Sequence, residues 1–206
     1  MNKLIELARA IVALFFRPEK AEKQLQPIES KSLRRLAWGQ KVSAAFRERL
    51  FEICRELGVE PDYLMACMAF ESAETFSPKI KNAAGSGATG LIQFMPATAK
   101  GLGTTTDALA AMTAEQQLEY VLAYFWPYRS RLKTIGDVYM AILWPAGIGK
   151  PDDWTLWDKT SRPTTYRQNA GLDLNKDGKI TKAEAVAKIQ AKLTRGQLPQ
   201  FMWEGE

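Results

Sequence analysis

The residue best suited to chemistry in this 206-residue chain is Glu71, which closes an almost wholly apolar run from Tyr63 to Phe70. Pro61 suits the first turn of a helix, where its missing N–H is no loss. The apolar run predicts that this helix is buried on most sides. Because a carboxylate at the end of a buried helix is difficult to ionise, desolvation should raise its pKa. A carboxyl that stays partly protonated near neutral pH can act as a general acid.

The alternative interpretation is that Glu71 is simply a surface residue on the last turn of the helix. The glycine-rich loop that follows the helix favours a functional role instead. Residues 91–95 predict an apolar helix that resumes before Pro96, and the polar Gln93 within it should face either a cleft or the core. No strand precedes the loop and no Lys-Ser or Lys-Thr pair ends it, so a phosphate-binding loop fits poorly. Three glycines in the loop allow positive φ and close backbone approach: Gly85, Gly87 and Gly90.

Glu71-Ser72 and the later block Gly87–Ala99, which reads GATGLIQFMPATA, resemble the soluble lytic transglycosylase and goose-type lysozyme superfamily. The resemblance runs from about residue 59 to residue 99 and extends more weakly to about residue 184. It implies a lysozyme-like fold with Glu71 as the catalytic acid and base. The substrate-binding residues that it implies are Ser72, Gly90, Leu91, Gln93 and Tyr166.

The reaction implied by the resemblance is cleavage of the β-1,4 bond between N-acetylmuramic acid and N-acetylglucosamine in peptidoglycan. Inverting hydrolysis needs a second carboxylate about 6.5–9.5 Å away, yet residues 75–103 contain no Asp or Glu. The missing base favours a lytic transglycosylase, in which Glu71 is first the acid and then the base for the 6-hydroxyl of muramic acid. A lysozyme-type hydrolase that uses Glu74, Asp137 or Asp152 as its base is one alternative.

One departure from the superfamily supports a second alternative, a non-catalytic glycan-binding or phage structural module. Relatives carry Ala-Tyr-Asn-Ala-Gly where this chain has Ile142-Leu143-Trp144-Pro145-Ala146-Gly147, so the Tyr-Asn pair that contacts substrate is absent. The departure is typical of a divergent, phage-encoded branch. An enzyme that cleaves peptidoglycan, or a module that binds it, would act in the bacterial periplasm or cell wall.

A twelve-residue segment, 173–184, matches the calcium loop of an EF-hand. Carboxylate, amide and carbonyl oxygens at this spacing suit Ca²⁺, and Gly178 provides the sharp turn. The alternative is an acidic turn that caps the following helix without a metal. A single loop without a partner hand suits a structural calcium ion rather than a sensor. The predicted ligands are Asp173, Asn175, Asp177, Lys179 through its carbonyl, Thr181 and Glu184.

The amino-acid composition excludes several kinds of catalytic and metal site. The chain has no histidine, which excludes Ser-His-Asp and Cys-His catalysis and every His-ligated metal site. A net charge of +5 suits a polyanionic partner such as the acidic cell wall, and no nucleic-acid-binding motif is present. Cys54 and Cys67 are expected to be buried, reduced thiols.

The helical patterns predict an all-α protein in two parts: an N-terminal apolar helix and basic linker over 1–32, and a lysozyme-like domain over 33–206. The apolar run 4–16 is too short to span a bilayer and suggests contact with a membrane surface or virion. A signal peptide fits poorly, because no small-residue cleavage site follows. Within the second part we expect a small hairpin in the 75–110 region and helices over 33–57, 113–128, 135–144 and 181–193.

Overall fold

The computed structural model describes residues 33–205, which form a mostly helical domain with four short strands. The predicted N-terminal helix and linker lie outside the described residues. Within residues 33–205, no helix combines the length and the apolar character needed to cross a membrane. The α-helices are α1 (Ala44–Leu57), α2 (Pro61–Glu71), α3 (Pro96–Gly101), α4 (Thr106–Ala111), α5 (Ala114–Phe125), α6 (Ile135–Leu143), α7 (Pro163–Gln168) and α8 (Lys182–Gly196). The strands are β1 (Arg34–Leu36), β2 (Thr155–Asp158), β3 (Lys179–Thr181) and β4 (Trp203–Gly205).

Helix α2 lies at the centre of the fold, packed against α1, α6 and α8. Every residue from Leu64 to Ala69 is fully buried, so no polar stripe is left for solvent. Pro61 occupies the first turn, as predicted, and the helix ends at Glu71 with Ser72 as its C-cap. Burial of each large side chain of this run contributes about 1.5–3 kcal/mol to stability, which holds the end of α2 in one position.

The first described segment differs from the single helix predicted over 33–57. Only α1 is an α-helix there, capped at its start by the Ser43 hydroxyl and ended by Gly58 at φ 67°. Before it, β1 pairs antiparallel with β4 from the other end of the domain. The intervening Trp38 has φ 65° and is fully buried, and its Nε1 donates a 2.9 Å hydrogen bond to the Lys192 carbonyl of α8. These partners are distant in sequence, so local patterns do not reveal them.

The loop between α2 and α3 also corrects a prediction. Residues 91–93 form turns and Phe94 lies in a β-bridge, so no helix forms over 91–95, and α3 begins only at Pro96. Two isolated bridges, Lys81 with Thr89 and Thr89 with Phe94, take the place of the small hairpin. The buried Gln117 side chain from α5 holds the loop: its Oε1 accepts from the Leu91 N–H at 2.7 Å.

The C-terminal part of the domain is joined to the rest through α8, which packs along α2 and α6. A buried ion pair links two of these helices: Lys182 Nζ of α8 lies 3.1 Å from Asp137 Oδ1 of α6. The same ammonium donates to the Lys150 carbonyl at 2.8 Å, and the Gly149 N–H donates to Asp137 at 2.8 Å. The start of α8 is therefore anchored by charge as well as by apolar packing.

Candidate active site

Glu71, at the C-terminal end of α2, lines an open cavity of about 430 Å³. Apolar side chains form much of the wall, and Phe70 and Tyr139 meet edge to face with ring centroids 5.7 Å apart. The Glu71 carboxyl accepts no hydrogen bond from any residue in the range 33–205, and no salt bridge reaches it there. The cavity is lined by Phe70, Glu71, Tyr139, Leu143, Gln168, Asn169, Gly171, Leu172 and Lys188.

The surroundings of Glu71 favour its neutral form. Burial raises the pKa of this carboxyl from 4.5 to about 7, because a charge surrounded by protein atoms loses its hydration. The side chain keeps partial contact with solvent through the cavity. Near neutral pH the group can thus donate a proton to a bound molecule and take one back.

Of the three alternative bases proposed from the sequence, Glu74 and Asp137 are engaged elsewhere, whereas Asp152 is exposed and does not line the cavity. Glu74 forms salt bridges with Lys192 and Arg195 of α8. Burial acts to raise the pKa of Glu74, but the hydrogen bonds and charges of these two cations outweigh it, so its pKa is lowered. Asp137 is held by Lys182 and Gly149. Within the described part of the chain, Glu71 is the single carboxyl lining the cavity.

The apolar run from Tyr63 to Phe70 predicted that Glu71 ends a buried helix, and the structure has this arrangement. Residues 50–143 match the family model described as the Transglycosylase SLT domain. The match supports the resemblance to the lytic transglycosylase and lysozyme-like superfamily. It also supports, in general terms, a transglycosylase type of function with peptidoglycan as the substrate. No curated protein matches the chain.

The substrate-binding residues predicted within the SLT match lie close to Glu71 in sequence but outside the cavity wall. Ser72 is fully buried, and its hydroxyl accepts from the Phe76 N–H. Gly90 has φ 84°, and a Cβ there would collide with the Gln117 amide. Leu91 is buried, and the Gln93 Nε2 donates to the carbonyls of Ile80 and Gly90. These residues shape the loop, and their substrate contacts stay predictions.

Beyond the SLT match, the structure brings a different set of residues to the cavity from the one predicted. Tyr166 is buried and its hydroxyl donates to Asp173. Its contact with substrate stays a prediction. The cavity is instead lined by Gln168, the last residue of α7, by its C-cap Asn169 and by Lys188 of α8. Sequence reasoning missed these three. No motif marks them, and only the packing of α8 on α2 brings Lys188 there.

The predicted calcium loop follows α7, turns at Gly178 with φ 89°, and continues through β3 into the start of α8. Both oxygens of Glu184 are engaged: Oε1 accepts from the N–H groups of Leu174 and Asn175, and Oε2 completes a capping box with Thr181. Asn175 and Asp177 bond to each other, and Asp177 also accepts from the Lys179 N–H. In residues 33–205 no group of three or more His, Cys, Asp or Glu side chains is arranged to hold a metal ion.

One atom of this loop is nevertheless suited to a cation. Asp173 is 7% exposed, and its Oδ2 accepts from the Tyr166 hydroxyl and the Gly178 N–H. Its Oδ1 is buried without a hydrogen-bond partner. A buried carboxylate oxygen without a hydrogen-bond partner is unfavourable. Such an oxygen is well suited to coordinate a hard cation.

Proposed function

We propose that this protein is a lytic transglycosylase that cleaves the β-1,4 bond between N-acetylmuramic acid and N-acetylglucosamine in peptidoglycan. The observation that carries the proposal is Glu71, the one carboxyl among the described residues that line this open cavity, with a pKa of about 7. It is supported by the SLT match over residues 50–143. The wall polymer as substrate implies action in the bacterial periplasm or cell wall.

In the first step Glu71, in its protonated form, donates its proton to the glycosidic oxygen as the bond from that oxygen to C1 of muramic acid breaks. The N-acetylglucosamine leaves with a free hydroxyl, and positive charge develops at C1. The resulting Glu71 carboxylate is then an anion in apolar surroundings, which strengthens its attraction for a proton.

In the second step the Glu71 carboxylate removes the proton from the 6-hydroxyl of the same muramic acid, whose oxygen bonds to C1. The product is a 1,6-anhydro end, and Glu71 is again protonated. A single carboxyl thus serves as acid and base. A water-dependent route would need a second carboxylate about 6.5–9.5 Å away, whereas Glu74 and Asp137 are engaged in salt bridges.

Product analysis tests this function directly. Purified peptidoglycan digested with the protein should give muramic acid residues with 1,6-anhydro ends, 18 mass units (one water) lighter than reducing ends by mass spectrometry. Digestion that yields reducing muramic acid ends alone would identify a hydrolase at the same bond, and an α anomer released first would identify it as inverting. An absence of soluble products, together with binding to the insoluble glycan, would indicate a non-catalytic module.

We further propose that segment 173–184 binds one structural Ca²⁺, supported by the unpartnered Asp173 Oδ1 and by the turn at Gly178. Asp173, Asn175, Asp177, the Lys179 carbonyl, Thr181 and Glu184 would supply the oxygens. The ion would contribute no step of the reaction. It would hold the loop against the start of α8.

Calcium is therefore expected to raise the melting temperature. At a Ca²⁺ concentration one hundred times the dissociation constant, binding stabilises a fold by about 2.7 kcal/mol, which for a domain of this size is a rise of roughly 5–10 °C. Differential scanning fluorimetry in Ca²⁺ and in chelator measures it. Mg²⁺ should give a smaller rise, and Asp177→Ala, an exposed change, should abolish it. Identical melting curves in Ca²⁺ and chelator would show that the loop works without a metal.

A further inference from the structure

One wall of the Glu71 cavity comes from residues outside the SLT match. Lys188, from the middle of α8, lines the cavity together with Gln168 and Asn169, whereas the matched region ends at residue 143. Helix α8 is held in place by the Asp137–Lys182 ion pair at its start and by extensive packing along α2. The position of Lys188 relative to Glu71 is thus fixed by the core of the domain.

The charge of Lys188 has no partner in the part of the chain that the structure describes. Helix α8 carries four basic residues: Lys182 pairs with Asp137, and Lys192 and Arg195 pair with Glu74. Lys188 alone among them forms no salt bridge or hydrogen bond with residues 33–205, although it is half-buried. Lys188 forms no salt bridge with Glu71 either. Its ammonium can therefore bind an anion that enters the cavity.

The nature of that anion follows from the chemistry of the substrate. N-acetylmuramic acid differs from N-acetylglucosamine by a lactyl group on C3, which ends in a carboxylate or continues into a peptide stem that carries carboxylates. This group is attached to the same sugar ring as the C1 bond that is cleaved. A polymer of N-acetylglucosamine alone has no carboxylate to offer.

We propose that Lys188 binds a carboxylate of the muramic acid side arm and thereby selects this sugar for cleavage next to Glu71. The inference rests on the proposed function and names the group that the same cavity recognises. The apolar side chains of Phe70, Leu143 and Leu172 around the cavity weaken the screening of the pair by water and strengthen it. The exposed Gln168 amide is free to bond neutral groups of the glycan.

Binding to a protein that cannot turn over its ligand tests this inference. Calorimetry in a Glu71→Gln background would use three ligands of equal length: muramic acid glycan with peptide stems, the same glycan without peptides, and an N-acetylglucosamine oligomer. Adding Lys188→Met should weaken binding of at least one of the two muramic acid ligands about tenfold, as expected for one charged hydrogen bond, and leave the third unchanged. Because the peptide stem converts the lactyl carboxylate into an amide, an effect on the first ligand alone would identify a stem carboxylate and an effect on the second alone would identify the lactyl carboxylate. An effect on both would show that Lys188 binds either group.

Two further variants serve as controls. Lys188→Arg keeps the charge and should keep the affinity, whereas Lys41→Met, an exposed lysine outside the cavity, removes one charge and should change nothing. Equal affinity of Lys188→Met and its parent for both muramic acid ligands would overturn the role of Lys188 while leaving the proposed function intact. A parent that binds none of the three ligands would overturn both proposals.

Discussion

Replacement of Glu71 by Gln is expected to lower the rate of peptidoglycan cleavage by about 10³-fold, within the range that general acid–base catalysis contributes. The amide has nearly the shape of the carboxylic acid but can neither donate a proton to the glycosidic oxygen nor remove one from the 6-hydroxyl. Loss of turbidity of outer-membrane-stripped cells and release of soluble muropeptides measure the rate. Equal lysis by the wild type and Glu71→Gln would rule out the catalytic role of Glu71 and the mechanism proposed here.

The stability of the same variant separates catalysis from folding. A rise in pKa from 4.5 to about 7 corresponds to about 3 kcal/mol, and contact with solvent through the cavity reduces the expected value to about 2 kcal/mol. Because the folded-state pKa is raised, the contribution of Glu71 to stability is full below pH 4.5 and is lost as the pH rises through 7. Glu71→Gln should therefore be more stable than the wild type at pH 8. Wild-type activity should also decline above pH 7.

The second large effect is expected for Asp137→Ala, which should lower the free energy of unfolding by about 3–5 kcal/mol. The change leaves the Lys182 ammonium buried with only the Lys150 carbonyl as partner. It also removes the acceptor of the Gly149 N–H and the capping box at the start of α6. Urea denaturation followed by circular dichroism measures the loss.

The chain offers a matched control for this variant in an exposed ion pair. Asp107 and Lys81 lie 3.2 Å apart with most of both side chains in solvent, so Asp107→Ala should lower the free energy of unfolding by less than about 1 kcal/mol. Replacing both buried partners, with Asp137→Leu and Lys182→Met, should recover part of the loss because no unpaired charge remains. If Asp137→Ala were no worse than Asp107→Ala, the buried pair would not anchor α8.

The element that carries Glu71 could be predicted because its determinants are local. Pro61 at the first turn, eight apolar residues and a terminal carboxyl specify a buried helix and its end without knowledge of the rest of the chain. The same is true of the start of the helix predicted over 113–128, where Thr113 and Gln116, three residues apart, form a capping box. In these cases the interacting groups lie within one turn of each other.

The features that escaped prediction depend on partners that are far apart in sequence. Strand β1 exists because β4 pairs with it, and the turns at 91–93 are held by Gln117. Local apolar content could not distinguish these turns from a helix. Lys188 reaches the cavity only after α8 has packed on α2. The position of Glu71 at the end of a buried helix was thus predictable from a short stretch of sequence, whereas the other residues that line its cavity required the whole fold.

The pairing of β1 with β4 has a practical consequence for engineering. Because Arg34 lies opposite Gly205, a short peptide could connect these positions, and new ends could be opened in the exposed segment 82–87. Domains with adjacent ends tolerate such circular permutation, and also insertion into a loop of a host protein. This domain could therefore be carried as a cassette inside another scaffold, with both junctions outside the residues that line the Glu71 cavity.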